Sequence, residues 1–161
     1  PEFYGFTLDE ARQGTIYYRE YFDKYGIHQN KLFPGVREML DALHEDGRIL
    51  CTASSKPEVH VLTTLQAFGI DGCFDYICGG SLDESRCVKY KVIEELLHRL
   101  NLSEEEMDKV LMVGDRKHDV EGAAVFHIPC LGNAMGFAPE AAGAIDVVHS
   151  MKELTDYILA H

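Results

Sequence analysis

Apolar and polar positions follow a repeating strand–helix rhythm over most of the chain. Thr7 and Glu10 form a T-x-x-E capping box, which predicts a helix that runs to about Gly26. Tyr17, Tyr18, Tyr21 and Phe22 make that helix aromatic, and they are expected to be mainly packing groups. From Pro34 the pattern changes. Val36, Met39, Leu40 and Leu43 recur at helical spacing behind Pro34-Gly35, and Gly47 ends that helix. Arg48–Ala53 is a short apolar run that predicts a buried strand feeding a polar loop, Ser54-Ser55-Lys56-Pro57. Val59, Leu62, Leu65 and Phe68 mark the next helix, closed by Gly69. Tyr76–Cys78 predicts a second strand before Gly79-Gly80-Ser81, and Val92, Ile93, Leu96, Leu97 and Leu100 an amphipathic helix. Ser103 and Glu106 form another capping box. Val110–Val113 is a third strand ending at Gly114-Asp115, with a short helix through Val120, Ala123 and Ala124 behind it. Ile128–Leu131 and Ile145–Val148 complete the strands, and Leu154 and Ile158 lie on a last helix.

Strands and helices alternating with short connections predict an α/β fold, a parallel sheet with helices on both faces. Ligands of such sheets sit at the carboxyl ends of the strands. Ser54, Ser81 and Asp115 fall at those ends. The helix before Pro34 is the only part outside the alternation.

Composition narrows the picture. The 161 residues are about one domain's worth, since domains cluster near ~100–150 residues. At 46% hydrophobic and 26% charged, the chain has the balance of a folded domain. Its net charge of −12 argues against nucleic acid and against anionic membrane surfaces as partners, because both are met with Lys and Arg. No apolar run approaches the ~18 residues of a spanning helix, and no signal peptide opens the chain. The five cysteines include no C-x-x-C pair, so neither a disulfide framework nor a zinc knuckle is signalled. Together these features predict a cytoplasmic protein. Cys51 and Cys130 read as small buried hydrophobes. A cysteine-based phosphatase loop needs Arg six positions after Cys. Here those positions hold Pro57, Gly79, Glu84, Ile93 and Gly136, which excludes that mechanism.

The sharpest chemical signal is Val113-Gly114-Asp115-Arg116-Lys117-His118-Asp119. A carboxylate leaves the end of a strand and a second follows four residues later, on the same side if a helical turn intervenes. Such a pair suits Mg²⁺, which takes one or two carboxylates plus phosphate oxygens. Asp119 has a second reading, as a cap of the following helix. Ser54, with Ser55 and Lys56 behind it, offers a hydroxyl and backbone N–H groups to a phosphate, or merely caps the next helix. Lys89 opens a later helix and gains meaning from its order among the others. Arg116 lines the same edge. His118 reads as an exposed histidine at a helix start.

That order of hydroxyl, lysine and paired aspartates resembles the haloacid dehalogenase superfamily, and within it the phosphoglycolate-phosphatase and β-phosphoglucomutase-like branch with a helical cap. The resemblance runs from about Phe3 to the C-terminus, and Tyr18–Phe22 through Asn30–Val36 is similar to that branch's passage from cap to core. It implies a Rossmann-like core over residues 32–161 and the C-terminal half of a cap over residues 1–31. It implies that Ser54 binds the transferring phosphoryl group, with Ser55 beside it. It implies that Lys89 balances charge and binds substrate, and that Asp115 and Asp119 hold Mg²⁺. The implied reaction is transfer of a phosphoryl group from a small metabolite to an aspartate, then hydrolysis of the aspartyl-phosphate. The family's nucleophile lies in a D-x-D-x-T strand between the Ser54 and Asp115 strands. No Asp-x-Asp occurs anywhere in these 161 residues. The chain by itself is therefore expected to be inactive and to lack the core's first strand. It would be a truncated enzyme, or a chain that compensates by pairing with another copy. The alternative is a non-catalytic phosphate- or Mg²⁺-binding or interaction module. A phosphomutase also remains open, because the features that distinguish it are absent.

Overall fold

The computed structural model describes residues 5–136 and 143–161. The chain divides into two units, Pro1–Leu32 and Phe33–His161. In the first, helix α1 (Leu8–Lys24) starts at a complete Thr7/Glu10 capping box and is followed by a 3-10 turn, Gly26–Gln29. Tyr18 stacks on Phe22 and Tyr21 tilts against Tyr25. The aromatic helix is not mainly a packing surface: Tyr17, Tyr18, Tyr21 and Tyr25 are exposed and only Phe22 is buried. They sit on a single helix and its C-cap, where neighbouring turns cover them only in part.

The second unit is the α/β part. Its elements are α2 (Val36–Glu45), β1 (Cys51–Pro57), α3 (Glu58–Phe68), β2 (Tyr76–Gly80), α4 (Lys89–Leu100), α5 (Glu104–Met107), β3 (Met112–Gly114), α6 (Lys117–Ala124), β4 (Cys130–Asn133), β5 (Asp146–Val148) and α7 (Met151–Ala160). All strand pairs are parallel. They form two ladders among the described residues, β1-β2 and β3-β4-β5. β4 pairs on both sides, Met112 opposite Cys130 and Leu131 opposite Asp146. Among the described residues, β1 and β3 each pair on one side only, and no ladder joins them.

Alternation along the strands places helices on both faces. Cys130 and Met112 pack with Ile93, Val120 and Ala123 from α4 and α6. Their neighbours Leu131, Leu111 and Val113 pack with Met39, Met151 and Leu154 from α2 and α7. On the other ladder, Cys51, Ala53 and Cys78 meet Val92 and Leu96 of α4. Helix α4 thus lies against both ladders.

One boundary differs from the sequence pattern in a way that matters. β1 does not stop at Ala53 but runs through Ser54 to Pro57. Its register jumps from Ser54 opposite Gly79 to Pro57 opposite Gly80, so the strand bulges at Ser55 and Lys56. Gly79 and Gly80 permit this. A Cβ at Gly79 would lie 2.6 Å from Glu58 Cα, and one at Gly80 would lie 2.7 Å from the Ser55 carbonyl oxygen.

Candidate functional site

Four of the expected residues lie in β1 (Ser54), just after β3 (Asp115), and in the first turns of α4 (Lys89) and α6 (Asp119). Ser54 is the last residue in register before the bulge, and its Oγ accepts a hydrogen bond from the Lys56 N–H at 3.2 Å. Among the described residues no acceptor takes its hydroxyl proton. Ser55 is exposed beside it. Burial pushes the Lys56 amine below its ordinary pKa.

Lys89 is the first residue of α4. Its Nζ donates to the Ala53 carbonyl at 2.5 Å and pairs with Asp119 Oδ1 at 2.9 Å. One ammonium therefore ties the middle of β1 to the first turn of α6. Both side chains are largely buried, at 13% and 9% exposed, so water screens the pair little.

Asp119 is engaged at both oxygens. Oδ1 holds Lys89, and Oδ2 accepts from the backbone N–H groups of Asp115 and Arg116, each at 3.1 Å. It thus caps α6 from inside its first turn. The arrangement needs Gly114, because a Cβ there would lie 2.2 Å from Asp119 Cβ. The Cys130 thiol lies near enough to register the pair. Burial first, and then the Asp119 charge, pushes it up to about 11.

Asp115 differs from Asp119. It is half-buried at the end of β3, and its carboxylate has no hydrogen-bond or ion-pair partner among the described residues. Arg116 and His118 are exposed, with His118 Nδ1 3.7 Å from Glu121. Among the described residues no group of three or more His, Cys, Asp or Glu side chains is gathered for a metal. A single open carboxylate still fits Mg²⁺, which borrows its remaining ligands from water and phosphate. Asp115 would hold it, and Asp119 would act behind it.

Several supporting contacts leave no mark in the sequence. Arg86 donates from Nε to the Gly79 carbonyl at 3.0 Å and approaches Glu58 at 3.4 Å. Arg99 pairs with Glu58 at 3.0 Å and with Glu95 at 2.8 Å. Hydrogen bonding to Glu58 raises the Arg99 pKa further, and Arg99 in turn lowers that of Glu95. This network pins the loop after β2 that delivers Lys89. Charges spaced 28 to 41 positions apart leave no local signature for it.

Comparison with known proteins places these features. The model of the haloacid dehalogenase-like hydrolases matches residues 4–132. A 5'-nucleotidase of Pseudomonas aeruginosa is 37% identical over 85% of this chain and 61% of its own length. The tyrosine-protein kinase PtkA of Mycobacterium tuberculosis is 35% identical over 80% of this chain and 43% of its own. A phosphoglycolate phosphatase of Haemophilus influenzae is 30% identical over 81% and 57%. The chain thus spans between two fifths and two thirds of the length of these relatives. The crystal structure of a predicted phosphatase from Clostridium acetobutylicum superposes with a TM-score of 0.93 at 35% identity, over 99% of this chain and 74% of that one. With its ordered motifs, its parallel α/β fold and a family match over four fifths of its length, this chain belongs to the haloacid dehalogenase-like hydrolases.

Proposed function

We propose that this chain supplies the phosphate- and metal-binding side of a Mg²⁺-dependent phosphatase acting on a small phosphorylated metabolite. The observation that carries this reading is Lys89, whose one ammonium links β1 beside Ser54 to the Asp115–Asp119 turn. Relatives named 5'-nucleotidase and phosphoglycolate phosphatase support a small phosphomonoester as substrate.

In this reading the nucleophilic aspartate comes from a strand between β1 and β3, where each ladder has an unpaired edge. No Asp-x-Asp among the 161 residues can provide it. The aspartate oxygen forms a bond to phosphorus as the bond to the leaving alcohol breaks, and water then cleaves the acyl phosphate. Mg²⁺ would neutralise charge on the transferring group. Ser54 donates its hydroxyl proton to a phosphoryl oxygen, with the exposed Ser55 beside it. Lys89 offers positive charge at the same edge while Asp119 fixes its direction. Asp115 would hold the metal. The 1–32 unit acts as part of a cap. Five free cysteines support a reducing, cytoplasmic setting.

The test is phosphate release by the intact protein from phosphoglycolate, nucleoside monophosphates and sugar phosphates, with and without Mg²⁺. Turnover should require Mg²⁺, and Asp115→Asn should lower it by about 10²–10³-fold. The lack of an Asp-x-Asp favours a second reading, a binding module without turnover. An intact protein that binds phosphate and never releases it from an ester would establish that reading instead.

A further inference from the structure

We propose that Gly136 is a positioning residue for the metal carboxylate. It keeps open the space that Asp115 needs to present its oxygens. The inference rests on the reading of Asp115 as the Mg²⁺ ligand and goes one residue beyond it.

A Cβ built at Gly136 would lie 2.4 Å from Asp115 Oδ2 and 3.1 Å from both Asp115 Cβ and Cγ. The backbone at Gly136 is not in the left-handed region, unlike Gly35, Gly47 or Gly69. Conformation therefore does not call for glycine here, and space does. Neither side of the contact can easily retreat. The loop carrying Gly136 is tied to β5 by the Ala134 N–H on the Val148 carbonyl, at 2.9 Å. It is turned by Asn133, whose Oδ1 accepts the Met135 N–H at 2.9 Å. On the other side, the Asp115 N–H is held by Asp119 Oδ2. That fixes the backbone and Cβ of Asp115 and leaves only its carboxylate to move. A methyl group at position 136 turns the carboxylate away from its present direction, at the cost of the cation it would hold.

Mn²⁺ binding to the intact protein, followed by electron paramagnetic resonance, tests this without turnover. Three variants are compared with wild type: Asp115→Asn, Gly136→Ala and the double variant. Gly136→Ala should weaken Mn²⁺ by about 10–100-fold, the range seen when a residue that orients a metal ligand is lost. The double variant should bind no more weakly than Asp115→Asn, since Gly136 acts only through Asp115. Gly136→Ala that binds within twofold of wild type, beside a weakened Asp115→Asn, overturns the inference. So does a double variant showing both losses in full, or a Gly136→Ala chain that circular dichroism shows unfolded, which would make Gly136 a residue of the fold. An Asp115→Asn variant that binds Mn²⁺ normally overturns the metal reading of Asp115 itself, which is a different failure.

Discussion

β1 and β4 are both short strands that begin with cysteine and reach a polar residue within four positions, yet they are buried very differently. Cys130, Leu131 and Gly132 of β4 are buried, whereas Cys51, Thr52, Ala53 and Ser54 of β1 are only half-buried. The difference is in the neighbours. β4 has a ladder on each side and a helical layer over each face. β1 has a ladder on β2 alone. Ser54 lies in the half-paired β1, and Asp115 directly follows the half-paired β3. Lys89 joins the two regimes.

The largest expected effect cuts that link. Lys89→Met leaves the Asp119 carboxylate buried without its cation and should cost about 3–5 kcal/mol in urea unfolding. A loss below about 1 kcal/mol would mean that the two N–H bonds to Asp119 suffice, and that the ladders hold together without Lys89. Next, Leu131→Ala removes a fully buried side chain at the middle of the paired strand and should cost about 2–5 kcal/mol. Ile77→Ala, half-buried on the other ladder, should fall at or below the bottom of that range. Equal losses would erase the distinction between the ladders.

Thiol labelling probes the same contrast through local opening. Cys87 is exposed and should react first. Burial pushes the Cys51 and Cys130 thiols each up to about 11, so both react slowly at neutral pH. Cys51, on the half-paired strand, should still label before Cys130. The reverse order would place the weaker region in β3-β4-β5.

The smallest effect is at the helix caps. Hydrogen bonds from Thr7 and Ser103 hold Glu10 and Glu106 below the ordinary glutamate pKa. A lowered pKa in the folded state stabilises above the unfolded value, near ~4.3, and the gain disappears as pH falls through the folded value. The difference in stability between wild type and Ser103→Ala should therefore be full at pH 6 and shrink below about pH 4. A difference independent of pH would mean that the Glu106 carboxylate takes no part.

Much of the fold was legible because its signals are local. Thr7 with Glu10 and Ser103 with Glu106 close their capping boxes three residues apart, and both boxes form. The helical spacing of Val92, Ile93 and Leu96 marks the buried face of α4. The end of β1 was not legible, since its polar residues read as a loop. The strand continues only because Gly79 and Gly80, more than twenty positions away, let its backbone come close. Asp119 carried two readings in sequence, cap and metal ligand. The fold gives one of its oxygens to the helix start and the other to Lys89.

The order of chemical groups along the chain was set by the sequence alone. So were the alternation of strands and helices, the family resemblance and the absence of an Asp-x-Asp. All of these are properties of spacing and residue type. The tertiary structure decided which carboxylate is engaged and which stays open, that a lysine bridges β1 and α6, and that a glycine in a distant loop faces Asp115. Those depend on approaches of a few ångströms between segments far apart in the chain, and no pattern along the sequence encodes such distances.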